Sequence, residues 1–173
     1  QTVLRRLAVF AGSLRLDTGL AVAAGDGLDE AAVLDALCGL VDKSLLHIDG
    51  LEPPRYRLLE TTRMFAVERL RDSADAAVTR HRFCQAMAAL AVESEAALMT
   101  MADRPWLQRY LPDYDNVRSA FEQTCEDQAV EWAADLAAAG HLLDDLRSDH
   151  QNRSRRLHAA AARGDVAEIE RRI

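Results

Sequence analysis

One pair of residues has the side-chain types and the spacing of half a zinc site. His81 and Cys84 lie about one helical turn apart, so a helix would bring both side chains to one face. A structural zinc ion needs four ligands, and no second pair with ligand spacing occurs in the sequence. We therefore interpret His81 and Cys84 as ordinary, partly buried helix residues, and we predict no metal site.

A second group combines carboxylates with histidines. Asp144 and Asp145 precede Asp149 and His150, and His141 lies just upstream. Such groups could hold a cation or exchange protons near neutral pH. No nucleophile and no glycine-rich loop stands beside them, so the solvated end of a helix is the simpler interpretation. We predict no catalytic residues and no enzyme activity for this chain.

Arginines supply candidate interaction surfaces in two places. Arg55 and Arg57 alternate with apolar residues in a short predicted strand, and both would then point to one face. A larger basic cluster follows much later, at Arg153, Arg155, Arg156 and Arg163. On a helix such a cluster is usually a solvated face, but it could also meet an acidic protein surface or phosphates.

Three aromatic rings recur at four-residue spacing, at Trp106, Tyr110 and Tyr114. This spacing places them along one side of a helical segment. We interpret them as the seam between this segment and a neighbouring helix, with a ligand pocket as the alternative.

The composition favours closely packed helices. Of the 173 residues, 49% are hydrophobic, enough for a buried core, but many are alanine and only 5% are aromatic. The net charge of -7 argues against a general nucleic-acid binder, which needs a basic field.

Three scattered cysteines do not form a disulfide framework and indicate a reducing cytoplasm. No apolar run in the sequence is long enough to span a membrane. The chain starts at Gln1, inside a predicted helix, and we interpret it as a piece of a longer protein.

The most specific stretch runs from Arg55 to Leu70. Its first residues alternate as in a half-buried strand, and then Met64, Val67 and Leu70, with Phe65 beside them, favour a helix face. Upstream, Leu40–Gly50 predicts a second short strand that ends at the turn signal Asp49-Gly50. Helices, a hairpin and a closing helix are the plan of a winged-helix domain.

The chain therefore divides into two predicted parts. Residues 1–74 are predicted to form the winged-helix domain, whose third helix starts at the good N-cap Asp29. Residues 75–173 carry no strand signal and predict a helical linker that leads into tetratricopeptide-like (TPR-like) repeats. The predicted fold class is mainly α, with a two-stranded hairpin followed by a helical bundle.

Four ordered blocks carry a family resemblance: LRRLAVFAGSLRLDTGLAVAAG, VLDALCGLVDKSLLHIDG, RYRLLETTRMFAVERL and WLQRYLPDYDNVRSAFEQTCED. The first three resemble the winged helix that follows the nucleotide-binding domain of STAND-type signal-transduction ATPases of the bacterial LuxR and antibiotic-regulator branch. The fourth resembles the linker to their TPR-type repeats. The resemblance implies a non-catalytic regulatory segment in transcription, which packs against its own upstream nucleotide-binding domain and binds a protein partner through its helical part.

Two departures from the family bear on cofactors. The phosphate-binding pattern GxxxxGK[ST], whose backbone amides and lysine hold phosphates, does not occur here. The histidine by which many relatives sense the nucleotide aligns with Leu59, which cannot form a hydrogen bond through its side chain. We therefore expect no cofactor in this segment, with ATP or ADP bound by an upstream domain.

The alternative function is a DNA-binding winged-helix domain of a transcription factor. Such domains place a recognition helix in the major groove, while lysines and arginines contact phosphates. Here the predicted third helix carries Asp29, Glu30, Asp35 and Asp42, with Lys43 only at its end. We therefore do not expect this segment to read DNA.

Overall fold

The chain is mainly helical with one small hairpin, as the sequence predicts. The computed structural model describes residues 1–50, 53–126, 132–145 and 148. Its elements are α1 (Thr2–Leu7), α2 (Leu16–Ala23), α3 (Glu30–Asp42), β1 (Leu46–Asp49), β2 (Arg55–Leu58), α4 (Glu60–Arg71), α5 (Ala76–Leu98), α6 (Asp103–Tyr110), a 3-10 turn (Leu111–Asp113), α7 (Tyr114–Glu126) and α8 (132–145). A winged-helix domain followed by helices is therefore confirmed as the fold class.

The hairpin is antiparallel and carries one further bridge that the sequence did not predict. Leu46 of β1 lies opposite Leu58 of β2, and Asp49 lies opposite Arg55. On the other side of β2, Leu14 exchanges two backbone hydrogen bonds with Tyr56, at 2.8 and 2.9 Å. This one-residue bridge fixes the segment between α1 and α2 to strand β2 of the wing.

The turn between α2 and α3 is held by a buried arginine of α1. Gly25, Asp26 and Gly27 all have positive φ, a conformation that allows the chain to reverse within a few residues. The Arg6 guanidinium donates to the carbonyl oxygens of Ala23 and Gly25, at 2.8 and 3.0 Å, and forms an ion pair with Asp26. Arg6 thereby supplies donors to the C-terminal end of α2, where carbonyl groups lack helical partners.

Helix α4 buries only part of the predicted face. Ala66 and Leu70 are its buried residues, whereas Met64 is 59% exposed and Phe65 is 52% exposed. The reason is geometric: three residues turn an α-helix by about 300°, so a pattern repeating every third residue drifts by about 60° at each step. Met64 and Leu70 therefore lie about 120° apart and cannot share one narrow face. The placement of Met64 and Phe65 in the core was wrong.

One hydrophobic core runs through the winged helix and the helices that follow it. Phe10 and Phe83 meet edge to face with ring centres 5.2 Å apart, and Leu37, Met87 and Val117 belong to the same cluster. The boundary between residues 74 and 75 stays a prediction. Within the described ranges, no helix has both the length and the apolar composition to cross a membrane.

Candidate interaction surfaces

The exposed face of α3 is acidic. Asp29 accepts a hydrogen bond from the Ala32 amide at 2.8 Å and so caps the helix start. Glu30, Asp35 and Asp42 are exposed, and no lysine or arginine lies between Glu30 and Asp42. The structure therefore presents carboxylates where a DNA-reading helix would need cations.

The wing is less basic than its sequence indicates. Arg57 is exposed, but its Nε donates to Asp49 on the opposite strand at 3.0 Å, which offsets its charge. Leu59 follows the strand and is 43% exposed at the start of α4. An apolar side chain therefore occupies this position, and it can neither donate nor accept a hydrogen bond.

Arg55 does not lie on a surface, and the prediction of an exposed interaction residue there was wrong. Its side chain is 10% exposed and forms a bidentate ion pair with Asp113, whose side chain is 1% exposed. The two nitrogen–oxygen distances are 2.5 and 3.1 Å. Strand alternation placed Arg55 beside Arg57, but the 3-10 turn before α7 covers Arg55, next to the hairpin turn, and leaves Arg57 exposed.

Further hydrogen bonds complete this buried junction, which joins the winged helix to the helical part. Arg55 also donates to Ser13, at 2.8 Å to the hydroxyl and 3.1 Å to the carbonyl oxygen. Asn116 of α7 donates to the same carbonyl at 2.7 Å and accepts from the Gly12 amide at 3.0 Å. Burial raises the pKa of the Asp113 carboxyl, while the hydrogen bonds and charge of Arg55 act in the opposite direction. The junction is thus the most heavily hydrogen-bonded polar cluster of the described residues.

Trp106 and Tyr110 lie inside the helical part, packed against α5. They are 1% and 2% exposed, and the Trp106 indole donates to the Ser94 carbonyl oxygen at 2.7 Å. Their ring centres are 5.2 Å apart. The rings hold α6 on α5, so neither ring offers a surface to a partner.

The Tyr110 hydroxyl reaches a charged cluster at the surface. The hydroxyl donates to Oε1 of Glu93 at 3.0 Å, and Arg109 donates to the same oxygen at 2.8 Å. Arg15 lies 3.6 Å from the other carboxylate oxygen, Oε2. Burial raises the pKa of Glu93, but the hydrogen bonds from Arg109 and Tyr110 and the charge of Arg15 outweigh it. The pKa of Glu93 therefore lies below its ordinary value.

This lowered pKa predicts an acid-sensitive contact between α5 and α6. A carboxyl whose pKa is depressed by folding contributes stability above its ordinary pKa of 4.5, and this contribution is lost as the pH falls through the lowered value. We expect Glu93→Gln to be less stable than the parent at pH 7 and the difference to shrink below about pH 4.5. Urea unfolding of both proteins across this pH range measures the effect, and Glu95→Gln, an exposed neighbour, is the control.

Tyr114 borders a groove between α7 and α8. Its hydroxyl lies 3.3 Å from Asp144, and His141 lies 3.1 Å from Asp145. The groove has a volume of about 360 Å³, and Phe121 lines its apolar part. Tyr114 therefore remains partly accessible, unlike Trp106 and Tyr110.

The remaining candidates from the sequence do not form a site within the described residues. His81 is exposed and packs edge-on against Trp132, while the buried Cys84 thiol lies 3.7 Å from the Ala120 carbonyl oxygen. No group of three potential metal ligands occurs in the part of the chain that the structure describes. Arg153, Arg155, Arg156, Arg163, Asp149 and His150 lie outside the described residues.

Asp113 and Asn116 are the residues that sequence reasoning missed. The only local signal was the Pro112-Asp113 pair ahead of a helix, which is typical of a helix start rather than of a partner for a distant arginine.

Comparison with known proteins gives the class of the N-terminal part. Residues 1–71 match the family model described as a winged helix-turn-helix (HTH) domain, and this range ends with α4. No solved structure matches the chain.

The proteins that are similar to this segment are much longer than it. Two proteins, from Mycobacterium bovis and Mycobacterium tuberculosis, are each named "Putative HTH-type transcriptional regulator" and are 43% identical over 145 residues. The alignment covers 80% of this chain but only 16% of each relative. An uncharacterized protein from Mycobacterium tuberculosis is 38% identical over 86 residues, 47% of this chain and 22% of that protein.

These comparisons support a winged helix-turn-helix domain homologous to parts of HTH-type transcriptional regulators. Of the two functions raised by the sequence, they favour the DNA-binding winged-helix domain over a fragment of a STAND-type ATPase. Neither the family description nor the names of the relatives mention an ATPase or TPR-like repeats. Both of these finer assignments stay predictions.

Proposed function

We propose that this chain is a non-catalytic, protein-binding segment of a larger transcriptional regulator, in which the winged helix acts as a rigid spacer and not as a reader of bases. The observation that carries this proposal is the exposed face of α3, with three carboxylates and no cation between Glu30 and Asp42. The names of the relatives describe proteins of which this segment is a small part, so another part of such a protein can contact the DNA.

The charge of α3 opposes docking into a DNA groove. Affinity for DNA comes largely from lysines and arginines that neutralise phosphates and release counterions. A helix inserted into the major groove brings its exposed side chains close to the phosphates of both strands. Glu30, Asp35 and Asp42 would be repelled there, and the neighbouring wing offers Arg57 already paired with Asp49.

The resemblance to STAND-type regulators suggests how such a segment would work. Its own upstream nucleotide-binding domain would bind ATP or ADP, and the winged helix would shift between packed and released arrangements against that domain. The buried junction of Arg55 and Asp113 supports this proposal, because it couples the wing to the helical part. The proposed setting is the cytoplasm, with no membrane contact and no cofactor in this segment.

The alternative, direct DNA binding by the winged helix, is favoured by the family match and by the names of the relatives. It would have to use the wing and Lys43, since α3 itself lacks cations. The basic cluster at Arg153, Arg155 and Arg156 could add phosphate contacts.

A mobility-shift assay on duplex DNA separates the two functions. We expect no shifted band even at about 50 mM salt, where phosphate contacts are strongest. A band that weakens steeply towards about 200 mM salt would contradict the proposal. If that band were lost in Arg57→Glu but kept in the control Arg118→Glu, an equally exposed change on α7, the wing would be the DNA-binding element.

A further inference from the structure

A shallow apolar groove lies on the winged helix between α1 and α4. Leu4 of α1 and Phe65 and Ala66 of α4 line it, and its volume is about 480 Å³. Phe65 and its neighbour Met64 are each more than half exposed. Adjacent exposed apolar side chains of this size on one helix are typical of a surface that binds another protein.

Both charged residues at this groove are arginines. The Arg69 guanidinium carbon lies 5.0 Å from the centre of the Phe65 ring, and Arg69 forms no ion pair within the described part of the chain. Arg5 pairs with Asp75 at 3.3 Å and remains 31% exposed. None of the described carboxylates lines the groove. In a chain with a net charge of -7, the groove thus combines apolar side chains with positive charge, which complements an acidic, amphipathic partner.

The exposed face of α3 carries apolar and acidic side chains, which complement the apolar and basic groove. Ala31, Leu34 and Cys38 are exposed at spacings of three and four residues, which is how an amphipathic helix presents its anchors to a groove. Glu30 and Asp35 flank these apolar residues. Leu34, which is 38% exposed, is the largest apolar side chain on this face.

We propose that α3 of one copy of this chain docks into the α1–α4 groove of a second copy. Within a single copy, the buried Val33 and Leu37 fix α3 in its own core, so its exposed face cannot enter the α1–α4 groove of the same copy. The two surfaces differ, so the contact is head-to-tail and leaves a free groove at one end and a free α3 face at the other. The interface pairs Leu34 with Phe65, and Glu30 and Asp35 with Arg5 and Arg69.

Sedimentation velocity of the full 173-residue chain at physiological salt tests this assembly. We expect species larger than a dimer to grow with protein concentration. Phe65→Glu blocks the groove and Leu34→Arg blocks the α3 face, and each should weaken association by at least about tenfold, the equivalent of roughly 1.4 kcal/mol. Both positions are exposed, and thermal melts check that the variants remain folded.

Mixing the two variants gives the decisive result. One intact groove and one intact α3 face remain between them, so the mixture should form a one-to-one complex that grows no further. A parent chain that stays monomeric at every concentration would overturn the proposal. So would a mixture that associates no better than either variant alone, because that result indicates two like surfaces or a different partner.

Cross-linking locates the contact independently. In a Cys125→Ser background, oxidation of Met64→Cys should join it to the exposed Cys38 of another copy and give covalent dimers and larger species. The matched control is Met99→Cys, at a position 88% exposed at the end of α5, which should remain largely monomeric. Equal cross-linking of both variants, or none for Met64→Cys, would contradict the proposed interface.

Discussion

Replacing Arg55 with alanine is expected to lower the free energy of unfolding by about 3–5 kcal/mol, the usual cost of removing one partner from a buried ion pair. Asp113 would be left with a 1% exposed side chain and without its guanidinium partner. The carboxylate would then have to remain charged without compensation or take up a proton. Ser13 and its carbonyl oxygen would also lose their hydrogen bonds from Arg55.

Urea unfolding at neutral pH measures this loss, and Arg57→Ala is the matched control. Arg57 lies on the same strand and also forms an ion pair, but its own side chain and that of its partner Asp49 are both more than half exposed. An exposed pair contributes about 0–1 kcal/mol, so the control should stay within that range. Equal effects of the two substitutions would show that the Arg55 pair is accessible to water.

A double-mutant cycle separates the ion pair from packing. We expect Arg55→Met combined with Asp113→Leu to be less destabilising than the sum of the two single changes, because no buried charge then lacks a partner. Strict additivity would contradict the pairing. Limited proteolysis adds a structural measurement: the single Asp113→Leu variant should be cleaved faster near the start of α7, where Asn116 would be the remaining hydrogen-bonding residue of the junction.

The junction explains why the wing and the helical part form one unit. Its donors and acceptors come from the segment before α2, from the start of β2 and from the start of α7. A rotation of the wing would therefore either carry α7 with it or break several buried hydrogen bonds. This coupling fits a segment that transmits movement between neighbouring domains, as we propose for the intact regulator.

The local pattern of the sequence predicts the elements well, because each is specified by neighbours a few residues apart. Asp29 lies at the N-cap of α3 and accepts the expected amide, and the turn at Asp49-Gly50 follows β1 as predicted. The acidic face of α3 could also be predicted, since exposed carboxylates need no distant partner.

Long-range contacts could not be predicted in the same way. The partner of Arg55 lies 58 residues away, and nothing in the alternation of β2 distinguishes Arg55 from the exposed Arg57. The bridge between Leu14 and Tyr56 involves a single residue on one side and therefore has no period. The buried face of α4 was misjudged because large apolar residues were taken as core, whereas the small Ala66 is fully buried and Phe65 faces outwards.

Phe10→Ala is expected to destabilise the chain by about 3–5 kcal/mol, as is usual for truncating a fully buried phenylalanine. Phe10 is 1% exposed and meets the completely buried Phe83 edge to face, so its loss leaves a cavity between the winged helix and α5. Phe65→Ala serves as the control, because Phe65 lies beside the apolar residues from which the sequence predicts one face of α4. Phe65 is 52% exposed, so its substitution should lower the free energy of unfolding by less than about 1 kcal/mol.

Urea unfolding in dilute solution compares the two variants. A larger loss for Phe65→Ala than for Phe10→Ala would show that α4 packs through the face predicted from its sequence.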